Sequence, residues 1–201
     1  MAVRVFQVDH DVDRFQTICV DTGNVLEGFC FDGQRVSDSW EPPPVYPQPQ
    51  THAVPDIWAV EAFAVLVLSP GVYEILSEWL EYEERLDLPM GSEVLDVINV
   101  LNTPNVLDLD ATESIGGPSA LITKYAFHAR RFEGNRSLFR LPGTVYGPLY
   151  CWEDSDDEEA GFRHGVRSNG VTGLLFEECW NSSVKDHPFS AFRTPSRDDL
   201  F

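Results

Sequence analysis

Carboxylates are the side chains this sequence supplies most freely for chemistry: 33 Asp and Glu stand against 14 Lys and Arg. Two carboxylates work as acid and base only at a set separation, with one pKa raised. Where acids are this dense, nearness in sequence singles out no such pair. Three runs begin like a calcium loop, DHDVDR from Asp9, DLDATE from Asp108 and DSDDEE from Asp154. That loop needs Gly at its sixth position for the turn and a bidentate Glu at its twelfth. Here the sixth positions hold Arg14, Glu113 and Glu159, and the twelfth Val20, Ser119 and Gly165. All three fail.

The five histidines (His10, His52, His128, His164 and His187) are scattered and share no ligand spacing, so each reads as a surface or satisfied polar residue. HExxH, the phosphate loop GxxxxGK[ST], GxGxxG and the G-x-S-x-G elbow are absent; GGPSA satisfies none of them. No catalytic residue, metal or cofactor is expected, and the chain reads as a non-enzyme. A hydrolase built on carboxylates is the competing reading.

The conspicuous polar feature is the run Glu153 to Glu159, six of whose seven residues are acidic. It is either a solvated loop leading into a helix, with its charges near the positive end of the helix dipole, or a docking surface for Lys and Arg. The candidate partner-binding residues are therefore Glu153, Asp154, Asp156, Asp157, Glu158 and Glu159. A second cluster, Glu78, Glu81, Glu83 and Glu84, reads as the wet face of a helix. The net charge of −19 repels nucleic acid and anionic membrane, and speeds encounter with a basic partner. The plainer reading is that it maintains solubility.

These groups must be held by a folded frame. Hydrophobic residues at 43% supply a core. Phe63 to Leu68 is apolar at successive positions, as in a strand buried on both faces. Ser69-Pro70 then reads as a helix start. Val72, Ile75, Leu76, Trp79 and Leu80 recur at helical spacing, and the helical pattern is carried to Leu86. EVLDVINVLNTPNVLDLD predicts two short strands around a turn, and Leu121 to Phe127 predicts another. SLFRLPGTVYGPLYCW predicts two more. A weaker helix reaches Arg167, closed by Asn169-Gly170, and a strand starts at Leu174.

The expected fold is α+β, a mixed, mostly antiparallel sheet with a few flanking helices. It includes a strand–helix unit near 63–86 and a weaker one near 149–180. Residues 1–53 are expected to form N-terminal strands, a turn at Asp21–Asn24 and a proline-rich strap tacked down by Trp40 and Tyr46. The main domain spans 54–181, and 182–201 form a polar tail. Four irregularly spaced cysteines (Cys19, Cys30, Cys151, Cys179) read as free thiols in a reducing compartment. The first residues lack the apolar core and cleavage site of a secretory signal, and no run approaches the ~20 residues that span a bilayer. A cytoplasmic protein without membrane insertion is expected.

Three stretches carry a resemblance: SPGVYEILSEW after the apolar strand, YAFHARRFEGNRSLFRLPG, and NGVTGLLFEECW. They resemble immunity proteins of bacterial polymorphic-toxin systems, in particular immunity-protein family eleven. The shared features are a strand followed by a helix of the form S-x-x-x-x-x-x-L, the FRL strand, and an ending built on Gly170, Gly173, Phe176, Glu177 and Trp180. The similarity runs from Val54 to Trp180. WEDSDDEEAGFRHGV departs from the family's second helix, since Gly161 and Gly165 weaken helix formation there. The resemblance implies a cytoplasmic immunity protein that neutralises a cognate toxin domain, the partner presenting a basic surface. An adaptor or loading chaperone for a secreted effector is the alternative.

Overall fold

The computed structural model describes residues 2–21, 29, 31–48, 52–60, 63–115, 121–143 and 147–184. Cys30, most of the expected turn at Asp21–Asn24, the Gly116–Pro118 turn and the tail beyond 184 lie outside the described residues. The fold is α+β. In chain order the strands are β1 (Val3–His10), β2 (Thr17–Val20), β3 (Val45–Pro47), β4 (Ile57–Val60) and β5 (Phe63–Leu68), followed by helix α1 (Val72–Leu80). Then come β6 (Glu84–Met90), β7 (Glu93–Asn99), β8 (Glu113–Ile115), β9 (Leu121–Lys124), β10 (Leu138–Arg140) and β11 (Leu149–Asp154). Helix α2 (Phe162–Ser168) precedes β12 (Leu174–Asn181).

Among the described residues two main sheets form, ordered β10-β11-β1-β12 and β3-β2-β4-β5-β7-β6, with β8-β9 a separate hairpin. Their pairings are antiparallel except for β2 beside β4. Strand alternation sorts the apolar residues into layers. Phe6, Val8, Leu149 and Cys151 from the first sheet meet Ile57, Leu66, Leu68 and Ile98 from the second. Val72, Leu76 and Leu80 of α1 and Phe162 and Val166 of α2 complete this central layer. The outer face of the first sheet buries Val3, Val5, Phe139 and Tyr150 under Tyr125, Phe127 and Phe132. The outer face of the second buries Trp58, Val60, Val65 and Val67 with Phe29 and Phe31. Burying one such aliphatic side chain is worth roughly 1.5–3 kcal/mol, so the three layers together supply the main folding drive.

One turn locks the sheets together. Gly173 sits at φ 104°, and a β-carbon there would lie 2.0 Å from the Ile57 carbonyl oxygen. The adjoining Thr172 donates its N–H and its hydroxyl to Asp56 Oδ2 at 2.8 and 2.7 Å, and Thr172 Oγ1 accepts from the Asp56 N–H. Only glycine fits this approach. Gly170, at φ 66°, follows the α2 C-cap Asn169, as the Asn-Gly signal predicts.

Several expectations are corrected. The helix ends at Leu80, because Glu84–Met90 alternates buried and exposed positions with period two and pairs with β7. Glu83 and Glu84 are consequently not on a wet helical face; they are buried. Ser69 does not cap α1: its hydroxyl bridges Trp58 Nε1 and the Pro55 carbonyl, and Gly71 takes the N-cap position with no side-chain bond. Only the first of the two strands expected in EVLDVINVLNTPNVLDLD forms, as β7; beyond the Asn-Thr-Pro break, Leu107 makes an isolated bridge to Phe127. Trp40 does pin the strap, donating to the Asp87 carbonyl at 2.9 Å, whereas Tyr46 is exposed.

Candidate functional site

Where the end of α1 meets the start of the α2 segment, a cleft of about 300 Å³ opens. It is lined by Glu78, Trp79 and Tyr82 from the end of α1 and just beyond it, and by Asn135, Arg136 and Ser137 ahead of β10. Trp152, Glu153 and Asp154 of β11 complete the lining with Asp157, Ala160 and Gly161. The frame explains each position. Trp152 donates its indole N–H to the Arg136 carbonyl at 2.9 Å, tying β11 to the segment before β10. Ser137 Oγ accepts the Phe162 N–H at 2.8 Å, which fixes the first turn of α2. Arg136 donates to Glu83 at 2.7 Å and stands 5.4 Å from the Tyr82 ring centre.

The two glycines that weaken the α2 segment as a helix are both contact positions. A β-carbon on Gly165 would come within 2.6 Å of the Trp79 ring, so glycine lets α2 lie against α1 with Trp79 between them. Gly161 has ordinary extended angles, φ −82° and ψ 144°, and needs no left-handed backbone. Its β-carbon would lie 2.8 Å from Glu153 Cγ and 3.2 Å from Glu153 Oε1. The missing side chain lets the chain at 161 pack directly against this carboxylate.

That carboxylate is the electrostatic centre of the site. The Glu153 side chain is 1% exposed, and its Oε2 accepts from Arg163 Nη1 at 2.6 Å. Oε1 has no hydrogen-bond partner among the described residues, nor has Trp79 Nε1. A buried oxygen left unpaired is costly, on the order of 1–3 kcal/mol or more for a charged group. Arg163 also stacks on Phe6, 4.3 Å from its centre. Around this pair stand Glu78, Asp154 and Asp157, while Arg136, the basic residue of the lining, is already paired with Glu83. Burial raises the Glu83 carboxyl pKa despite the opposing N–H of Leu101 and charge of Arg136. At the rim, the hydrogen bond to Glu81 holds the Tyr82 phenol above its usual pKa, and the Glu81 charge adds to this.

The acidic run is divided by its local structure. Glu153 faces inward on β11, whereas the next residues turn sharply, Asp156 N–H donating to Asp154 Oδ1 and Asp157 N–H to the Asp154 carbonyl. Asp156, Asp157 and Glu159 are exposed and Asp154 is half-buried; the Glu158 side chain lies outside the described residues. Asp154 and Asp157 reach the cleft with Glu153, while Asp156 and Glu159 are not among its lining residues. Glu78, assigned from sequence to a solvated helix face, also lines the cleft. Trp79, Tyr82, Arg136 and Trp152 are the lining residues that sequence reasoning missed. No local signal links them, since they come from three separated segments.

Among the described residues no three His, Cys, Asp or Glu side chains converge as metal ligands. No helix among them is long and apolar enough to cross a membrane. No protein-family model matches the chain, and no curated protein matches it.

Proposed function

We propose that this chain is an immunity protein, one that binds a cognate toxin domain through a basic surface on that toxin and neutralises it in the cytoplasm. The observation that carries this reading is the cleft itself, an aromatic-walled recess lined by Glu78, Asp154 and Asp157 around a buried carboxylate with an unmet acceptor. Such a site suits a cationic protein surface. The sequence resemblance and the net charge of −19 favour the same partner. A toxin acting on nucleic acid presents a basic active-site face, which an acidic surface complements by imitating phosphates. Neutralisation then follows from occupying that face or from holding the toxin in an inactive state; no group on this chain needs to be consumed.

Co-expression with the toxin domain encoded beside this gene tests the reading. Survival of cells carrying both, with death of cells carrying the toxin alone, is the expected result. Equal killing with and without this protein overturns it. A stable complex that retains full toxin activity transfers the assignment to an adaptor or loading chaperone.

A further inference from the structure

Resting on that reading, we propose that the cleft is a socket for one arginine side chain projecting from the partner, with Glu153 Oε1 as its buried acceptor. Four observations converge on a guanidinium. Its volume of about 300 Å³ is at the small end for ligand pockets and suits one long side chain better than a peptide segment. Trp79, Tyr82 and Trp152 supply ring surface, on which a planar, weakly hydrated guanidinium stacks better than an ammonium does. The carboxylates of Glu78, Asp154 and Asp157 give the lining an excess of negative charge over the paired Arg136. Finally, Glu153, itself a lining residue, meets one guanidinium through Oε2, while its Oε1 stays unpartnered where the side chain packs on Gly161.

The protein already uses this chemistry internally. Arg163 bridges Glu153 and the Phe6 ring, and Arg136 bridges Glu83 and the Tyr82 ring. A partner arginine would repeat the arrangement from outside, its guanidinium donating to Oε1 with its faces against the aromatic wall. Fork geometry lets the same group reach a second carboxylate at the rim, which Asp157 or Glu78 provides.

The test is a titration followed through the indole N–H resonances of Trp79 and Trp152, each assigned with a Phe substitution. The probes are N-acetyl-arginine amide, its lysine counterpart and its citrulline counterpart. The arginine probe is expected to shift both resonances with a dissociation constant on the order of 1–10 mM. The citrulline probe, uncharged but of equal shape, shifts neither, and the lysine probe binds several-fold more weakly. Glu78→Gln with Asp157→Asn, both exposed and outside the core, weakens the arginine probe about 5–10-fold. Gly161→Ala, whose β-carbon would collide with Glu153 Cγ and push the carboxylate out of place, abolishes the shifts. Equal binding of lysine and arginine overturns the guanidinium assignment, and absence of any shift overturns the socket. The two readings fail separately. Arginine-probe binding without toxin neutralisation retires the immunity function alone. Neutralisation with unchanged toxin affinity in the Glu78→Gln, Asp157→Asn variant retires the socket alone.

Discussion

Gly161 and Glu153 are in contact where any other residue at 161 would intrude: a β-carbon would sit 2.8 Å from Glu153 Cγ and 3.2 Å from its free Oε1. The glycine is there for space and not for backbone conformation, since its φ of −82° suits any residue. The position of the carboxylate on which the partner-binding account rests is therefore set by the absence of a side chain at 161.

Arg163→Met tests the buried pair beneath the cleft. The Glu153 side chain is 1% exposed and the Arg163 side chain 14%, so removing the guanidinium strands a carboxylate. A loss of about 3–5 kcal/mol in urea unfolding is expected. The double variant with Glu153→Gln should recover part of it, because the stranded charge is gone. A loss below 1 kcal/mol in the single variant would mean that Glu153 is solvated.

Gly173→Ala addresses the joint between the sheets. The new β-carbon would press on the Ile57 carbonyl at 2.0 Å in a left-handed backbone conformation. Destabilisation of about 3 kcal/mol or more, or loss of soluble expression, is expected. Gly170→Ala is the control: its φ is also positive, but nothing lies within 4 Å, so the loss should stay near 1 kcal/mol. Equal effects would refute the contact argument.

His10 gives stability a pH dependence. Burial pushes its pKa down to about 4 from the usual 6.5, a backbone hydrogen bond at Val65 offsetting only part of this, and its Nε2 has no hydrogen-bond partner. The unfolded chain thus takes up a proton near pH 6.5 that the folded chain refuses until about pH 4. This contribution is fully present above pH 6.5 and is lost as pH falls to about 4, by roughly 3 kcal/mol at most. Buried carboxyls such as Glu83 act with the opposite sign, so the readout is the difference in unfolding free energy between wild type and His10→Gln across this window. Parallel curves would show that His10 does not titrate there.

Much of the frame is legible along the chain. The apolar run Phe63–Leu68, the helical spacing of Val72, Leu76 and Leu80, and the Asn169-Gly170 stop are local patterns, and local patterns carry the α+β class. The fate of individual acids is not local. Glu84 is buried because Val36 and Ser37 N–H groups and the Asn99 amide reach it from distant segments. Burial raises its pKa, but those hydrogen bonds outweigh it and hold the carboxyl below its usual value. Glu153 likewise differs from Asp156 through strand direction and Arg163, neither of which a count of charges reveals. Glu153, Asp154 and Asp157 of the acidic run line the cleft, and the aromatic residues that share it are brought there by the tertiary fold.

Electrostatic steering separates the exposed acids from the buried one. Reversing Asp156, Asp157 and Glu159 to Lys should slow association with the toxin about 10-fold at low salt and flatten its salt dependence, with unfolding free energy nearly unchanged. Rates that are unaltered at low salt would make this loop a solvated surface and nothing more.

The most direct measurement is the binding of the purified neighbouring toxin domain to this protein by titration calorimetry, run in parallel with toxin activity. Saturable one-to-one binding that abolishes activity, weakened at least tenfold by Gly161→Ala, is the predicted result. A toxin that remains fully active at saturating concentrations of this protein, or that shows no heat of binding at all, would contradict the account.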